Sequence, residues 1–184
     1  RFMGKSRIAL KNADGYEAQL RDEGMVLADF GARRSEIERQ LQHKAKQSKA
    51  SLGETGALLD EVTALVEHPT VYVGQFDPAY LAVPQECLIL TMRQNQQYFS
   101  LFDAAGTLLP RFLIVSNVQL ADPRHVVGGN ERVVRPRLED ARFFYDQDRK
   151  QRLEERVPQL ARVVFHHKLG SQADRMQGTK LLAG

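Results

Sequence analysis

Gln97–Val118 reads "QYFSLFDAAGTLLPRFLIVSNV". Two runs rich in aromatic and β-branched residues flank a short polar break containing Asp103 and Gly106. Such runs favour strands, and a brief Asp/Gly break between them favours a tight reversal. The stretch predicts an antiparallel hairpin, with strands over Tyr98–Phe102 and Arg111–Asn117 and a turn at "DAAG".

Upstream, Pro84 opens "PQECLILTMRQN", a helix with proline near its first position. Before it, "TVYVGQF" predicts a strand and "DPAY" a turn. "ALLDEVTALVEHP" carries Leu58, Leu59, Val62, Leu65 and Val66 at helical spacing, and His68–Pro69 end it. Nearer the start, Asn12 and Asp14 suit the beginning of a helix over Tyr16–Glu23, and "MVLAD" fits a short buried strand. Asp29 then caps a helix through "GARRSEIERQLQHKAKQ". Its apolar positions are sparse, so this helix is expected to be solvated or to lie against a partner. "QSKASLGETG" is the most linker-like stretch. Downstream of the hairpin, helix is expected from about Asp122 to Gly128 and again over Arg137–Arg156. The pattern predicts an α+β fold: a small, mostly antiparallel sheet packed with helices, plus an N-terminal helical or mixed appendage.

With 184 residues, 42% hydrophobic and 27% charged, the chain falls in the ordinary globular range. Its net charge of +3 is compatible with nucleic acid without requiring it. One cysteine, Cys87, excludes an intrachain disulfide; within "ECLILTM" it is expected to be a small core residue. No apolar run approaches the ~18 residues of a membrane span, so no membrane partner is expected. The chain starts "RFMGKS", without an initiator methionine or signal pattern, and is expected to be a piece of a longer cytoplasmic protein.

The sequence lacks GxxxxGK[ST], a GxGxxG after a strand, and HExxH. Apart from His166–His167 its histidines are scattered, and no metal site or catalytic residue is expected. The stretch that could grip a ligand is "GGNERVVRPRLEDARFFYDQDRK", Gly128–Lys150. Pro136 is expected to keep Arg135 out of helical geometry and so present Arg132, Arg135 and Arg137 together. Guanidinium forks suit phosphates. They equally suit ion pairs with Glu139, Asp140 or Asp146 along a helix. Both readings stand at this point. Arg93 and Gln94, ahead of Tyr98 and Phe99, form a second candidate group, since amides beside aromatics can read unpaired bases. A polar loop before a core strand is the plainer alternative.

Several segments resemble the beta-subunit family of bacterial two-subunit glycyl-tRNA synthetases. They are "RFMG", "DEVTALVEHPTVYVGQFDPAYLAVPQECLILTMRQNQQYF", "GTLLPRFLIVSNV", "GGNERVVRPRLEDARFFYDQDRK" and Leu169–Gly170. The most specific is "GNERVVRPRLEDARFF". The resemblance departs around "SQADRMQGTK", where a more basic helical run is expected and Gly178 is a poor helix former.

The resemblance implies an enzyme subunit of glycine–tRNA ligase, attaching glycine to tRNA(Gly) with ATP. This fragment would be noncatalytic, with tRNA(Gly) and the alpha subunit as partners in a heterotetramer. ATP and Mg would be used by the alpha subunit, with no cofactor here. Candidate tRNA contacts are Arg132, Arg135, Arg137, Arg93 and Gln94. The implied organisation is an N-terminal helical or mixed segment over 1–55, an α+β domain over 56–168 related to one in the phenylalanine enzyme's beta chain, and the start of a helical domain over 169–184. The competing reading is a purely structural interface domain docked against the alpha subunit or neighbouring beta-subunit domains.

Overall fold

The computed structural model describes residues 4–10 and 12–183. Arg1–Met3 of the "RFMG" segment lie outside them. The chain divides into two compact units, Arg1–Ala141 and Arg142–Gly184.

The first unit holds α1 (Tyr16–Gly24), α2 (Phe30–Gln47), β1 (Ser51–Leu52), α3 (Gly56–Leu65), β2 (Thr70–Gln75), α4 (Gln85–Gln96), β3 (Phe99–Phe102), β4 (Leu108–Ser116) and most of α5 (Arg124–Asp148). The sheet is wholly antiparallel, in the order β1-β3-β4-β2. The α+β expectation holds, and so does the hairpin. Asp103 builds its turn: the carboxylate Oδ1 accepts from the backbone N–H of Ala105 at 2.9 Å and of Thr107 at 2.8 Å. Gly106 supplies the positive φ, at 79°.

Strand β4 is central, and Phe112, Leu113 and Ile114 are consecutively buried. Successive strand residues face opposite ways, so both faces of the sheet are covered. On one face Leu113, Phe99, Leu101 and Val71 join Ile37, Leu41 and Ala45 of α2 and Leu58, Leu59 and Val62 of α3 in one apolar cluster. On the other, Phe112 stacks on Tyr98 with ring centroids 4.6 Å apart. Gly74 is required there: a Cβ on it would meet the Phe112 ring at 2.7 Å.

Several local expectations are corrected. Helix α2 is a core layer and not a solvated appendage. Its apolar stripe is narrow, but every member is buried, and Gln40 fastens the helix to β2. The Gln40 amide donates to Pro69 O at 2.9 Å and accepts from Val71 N–H at 2.9 Å. It thereby satisfies backbone groups at an edge strand that would otherwise be open. "MVLAD" is an irregular strap and not a strand. Its carbonyls at Leu27 and Ala28 accept from Arg33, whose Nε also donates to Thr63 O at 2.9 Å, while Leu27 N–H donates to Glu67 O at 2.8 Å. Cys87 is exposed, because the helix turns Leu88 and Met92 inward, one turn apart, and Cys87 outward.

The second unit contains the end of α5, then α6 (Leu153–Arg156), a hairpin of β5 (Val164–His166) and β6 (Gly170–Ser171), and α7 (Gln172–Ala183). A reciprocal cap starts α7: Asp174 accepts from Ser171 N–H at 2.7 Å, and Ser171 Oγ accepts from Asp174 N–H at 3.3 Å. The helix runs on through Gly178. None of this unit's described residues is buried.

Gln40→Ala leaves the Val71 N–H without its partner and should destabilise the first unit by about 1–3 kcal/mol. Gln42→Ala, at an exposed position two residues on, should stay within about 0.5 kcal/mol of the parent. Chemical denaturation of the two variants checks the difference.

Burial pushes the Tyr98 hydroxyl up from 10.0 to about 12. The fold therefore favours the neutral phenol. That contribution is complete below about pH 10 and is lost as pH rises towards about 12. A tyrosinate absorbance titration should show a late-ionising group that Tyr98→Phe removes. Loss of no late-ionising group in that variant would contradict the burial of Tyr98.

Candidate nucleic-acid interface

Helix α5 is a single run from Arg124 to Asp148, with Pro136 inside it. This corrects the expectation that Pro136 breaks helical geometry at Arg135. Proline removes one backbone donor, leaving the Arg132 carbonyl without its intrahelical bond. Arg132 and Pro136 both lie on the exposed side, where water can satisfy that carbonyl. The buried side carries Val134 and Leu138, one turn apart and fully inaccessible.

Three side-chain bonds fix the register of α5. Tyr98 Oη donates to Asn130 Oδ1 at 2.6 Å, Gln75 N–H donates to Glu131 Oε1 at 2.9 Å, and Tyr80 Oη donates to Glu139 Oε1 at 3.0 Å. Burial, and then the bond to Glu139, raise the Tyr80 pKa above its ordinary value, so the phenol remains a donor.

With Val134, Leu138, Asn130 and Glu131 held inward, the arginines are placed by helical rotation of about 100° per residue. Arg132 and Arg135 lie roughly 60° apart on one flank, beside Glu139; Arg137 lies on the other, about 160° from Arg135. The structure thus brings Arg132 and Arg135 together and separates Arg137 from them. All three are exposed. Among the described residues none of the three is in an ion pair. The ion pair along this part of the helix is Arg142–Asp146, at 3.8 Å.

Arg135 also reaches a cleft of about 740 Å³ shared with Tyr80, Arg111, Glu131 and Glu139. Arg111, on β4, was not among the sequence candidates. A lone charge following Pro110 at the start of an apolar strand run was the available signal. Arg93 and Gln94 sit in the last turn of α4. Arg93 is half-buried and lines a separate cleft of about 150 Å³ with Glu54, Tyr98 and Phe102, while Gln94 is exposed.

The architecture is that of an α+β domain bearing a basic helix flank. The full chain, residues 1–184, matches the family described as glycyl-tRNA synthetase beta subunit, and it belongs to that family. It is 64% identical over its whole length to the glycine–tRNA ligase beta subunit of Aromatoleum aromaticum, covering 26% of that protein. The corresponding protein of Methylobacillus flagellatus is 60% identical over 94% of this chain, which covers 24% of it. That of Neisseria meningitidis serogroup C / serotype 2a is 52% identical over 100% of this chain, which covers 27% of it. The chain spans about a quarter of the length of these relatives. No helix among the described residues is long and apolar enough to cross a membrane.

Exposed arginines without carboxylate partners hold the fold together weakly. Arg132→Ala with Arg135→Ala should therefore change the unfolding free energy by no more than about 1 kcal/mol. A loss of about 3–5 kcal/mol would instead identify buried ion pairs at these positions.

Proposed function

We propose that this chain is the part of a glycine–tRNA ligase beta subunit that binds and positions tRNA(Gly) in the cytoplasm. It supports ATP-dependent attachment of glycine without an active site of its own. Glycine, ATP and Mg are handled by the alpha subunit, with which the beta subunit assembles as a heterotetramer. The observation that carries the reading is the exposed, unpaired Arg132–Arg135 flank of α5, in a chain whose relatives bear the name of this ligase's beta subunit. Guanidinium groups that are in no ion pair among the described residues are available to phosphate oxygens. Arg93 and Gln94 would offer a second, smaller contact at the end of α4, and Arg137 one from the opposite flank.

A docking role is supported by a different observation, in the second unit. Phe143 and Phe144 are 55% and 63% exposed, with Leu169, Leu181 and Leu182 also open to solvent. Apolar surface of this kind suits contact with another part of the beta subunit or with the alpha subunit.

The test uses the assembled enzyme with fluorescently labelled tRNA(Gly). Replacing Arg132 and Arg135 by alanine should weaken binding and flatten its salt dependence by roughly one log–log unit per lost phosphate contact. Glycine-dependent ATP–pyrophosphate exchange should be nearly unchanged. An unchanged salt slope would count against the arginine flank as a phosphate contact.

A further inference from the structure

We propose that the cleft between β4 and α5 receives one ribonucleotide of the bound RNA, with its phosphate between the guanidinium groups of Arg111 and Arg135. This rests on the tRNA-binding reading above and goes further by naming a site and its ligand.

The cleft, at about 740 Å³, falls in the range of small-ligand sites. Two cations enter it from different elements, Arg111 from β4 and Arg135 from α5. Neither is in an ion pair among the described residues. Three carboxylates share the cleft, Asp77, Glu131 and Glu139, and each is held by an uncharged donor, Asp77 by Ala79 N–H at 2.8 Å. Gln75 N–H bonds to Glu131 at 2.9 Å, and the Tyr80 hydroxyl bonds to Glu139 at 3.0 Å. Each carboxylate accepts that bond through one oxygen, which leaves its other oxygen able to accept from a ligand.

This lining selects among ligands. Free phosphate would satisfy the guanidiniums but brings at most a P–OH donor, and an acidic peptide would add carboxylates to a cleft that already holds three. A ribonucleotide offers both, in a phosphate for the arginine forks and a 2′-hydroxyl or base amino group for a carboxylate oxygen. Pro78 and Pro110 add apolar surface against which a sugar or base can rest. A nucleotide within a stacked helix could not enter such a cleft. The ligand is therefore an unpaired residue of a loop, bulge or end.

The experiment is a double-mutant cycle in the assembled enzyme, with Arg111→Ala, Arg135→Ala and the double variant measured for tRNA(Gly) affinity by anisotropy. Each single change should weaken binding about tenfold. The double variant should lose clearly less than the product of the two, because one phosphate is released once. Fully multiplicative losses would overturn the shared-nucleotide site. Full affinity in Arg111→Ala alongside a loss in Arg132→Ala would overturn the cleft and leave the tRNA-binding reading intact. Full affinity in Arg111→Ala, Arg132→Ala and Arg135→Ala alike would overturn both. Should Arg111→Ala fail to fold, Arg111→Lys keeps the charge and removes the fork. It should still weaken binding several-fold at unchanged melting temperature, and wild-type affinity in that variant would overturn the site.

Discussion

Burial of Phe112, Leu113 and Ile114 at consecutive positions of the central strand is the constraint on which the rest of the first unit depends. A strand turns alternate side chains to opposite faces, so three buried neighbours need apolar cover on both. The cover on one face comes from α2 and α3. On the other, Phe112 is met by Tyr98, and the space it occupies exists only because residue 74 is glycine. Fully burying side chains of this size is worth roughly 1.5–3 kcal/mol each, so the sheet's two-sided cover outweighs any single polar contact at its edge.

Polar contacts settle register and add a smaller share of the cohesion. The edge strand β2 has its Val71 N–H taken by Gln40 and its Gln75 N–H by Glu131. Those side chains come from α2 and α5, so the same bonds that close the strand edge also fix two helices. For α5 the consequence is functional. Once Asn130, Glu131, Val134 and Leu138 are committed inward, helical geometry leaves Arg132 and Arg135 no position but the outer flank. An exposed flank carrying Arg132 and Arg135 is then a by-product of core packing and edge closure.

Much of this was legible in the sequence. The hairpin, the Asp29 cap, the α+β class and the Leu58, Leu59 and Val62 part of the α3 stripe follow from periodicity and turn chemistry, whereas Leu65, expected in that stripe, is exposed. Three features were not. Pro136 looked like a boundary because local rules disfavour helix before proline, yet buried Val134 and Leu138 hold the helix through it on the side away from the missing donor. Helix α2 looked solvated because Ile37, Leu41 and Ala45 make a narrow stripe, and the second anchor is a glutamine whose partners are 29 and 31 residues away. The arginine candidates were adjacent in sequence, and one flank of a helix does not follow adjacency. Arg137 is therefore parted from Arg135, while Arg111, distant in sequence, joins the cleft.

The central claim is that one flank of α5 faces RNA. Covalent labelling of arginines with a dicarbonyl reagent, read peptide by peptide in the assembled enzyme with and without tRNA(Gly), addresses it most directly. Protection of Arg132 and Arg135 by tRNA is the expected result. Equal labelling of Arg132 and Arg135 in the presence and absence of bound tRNA would contradict the claim.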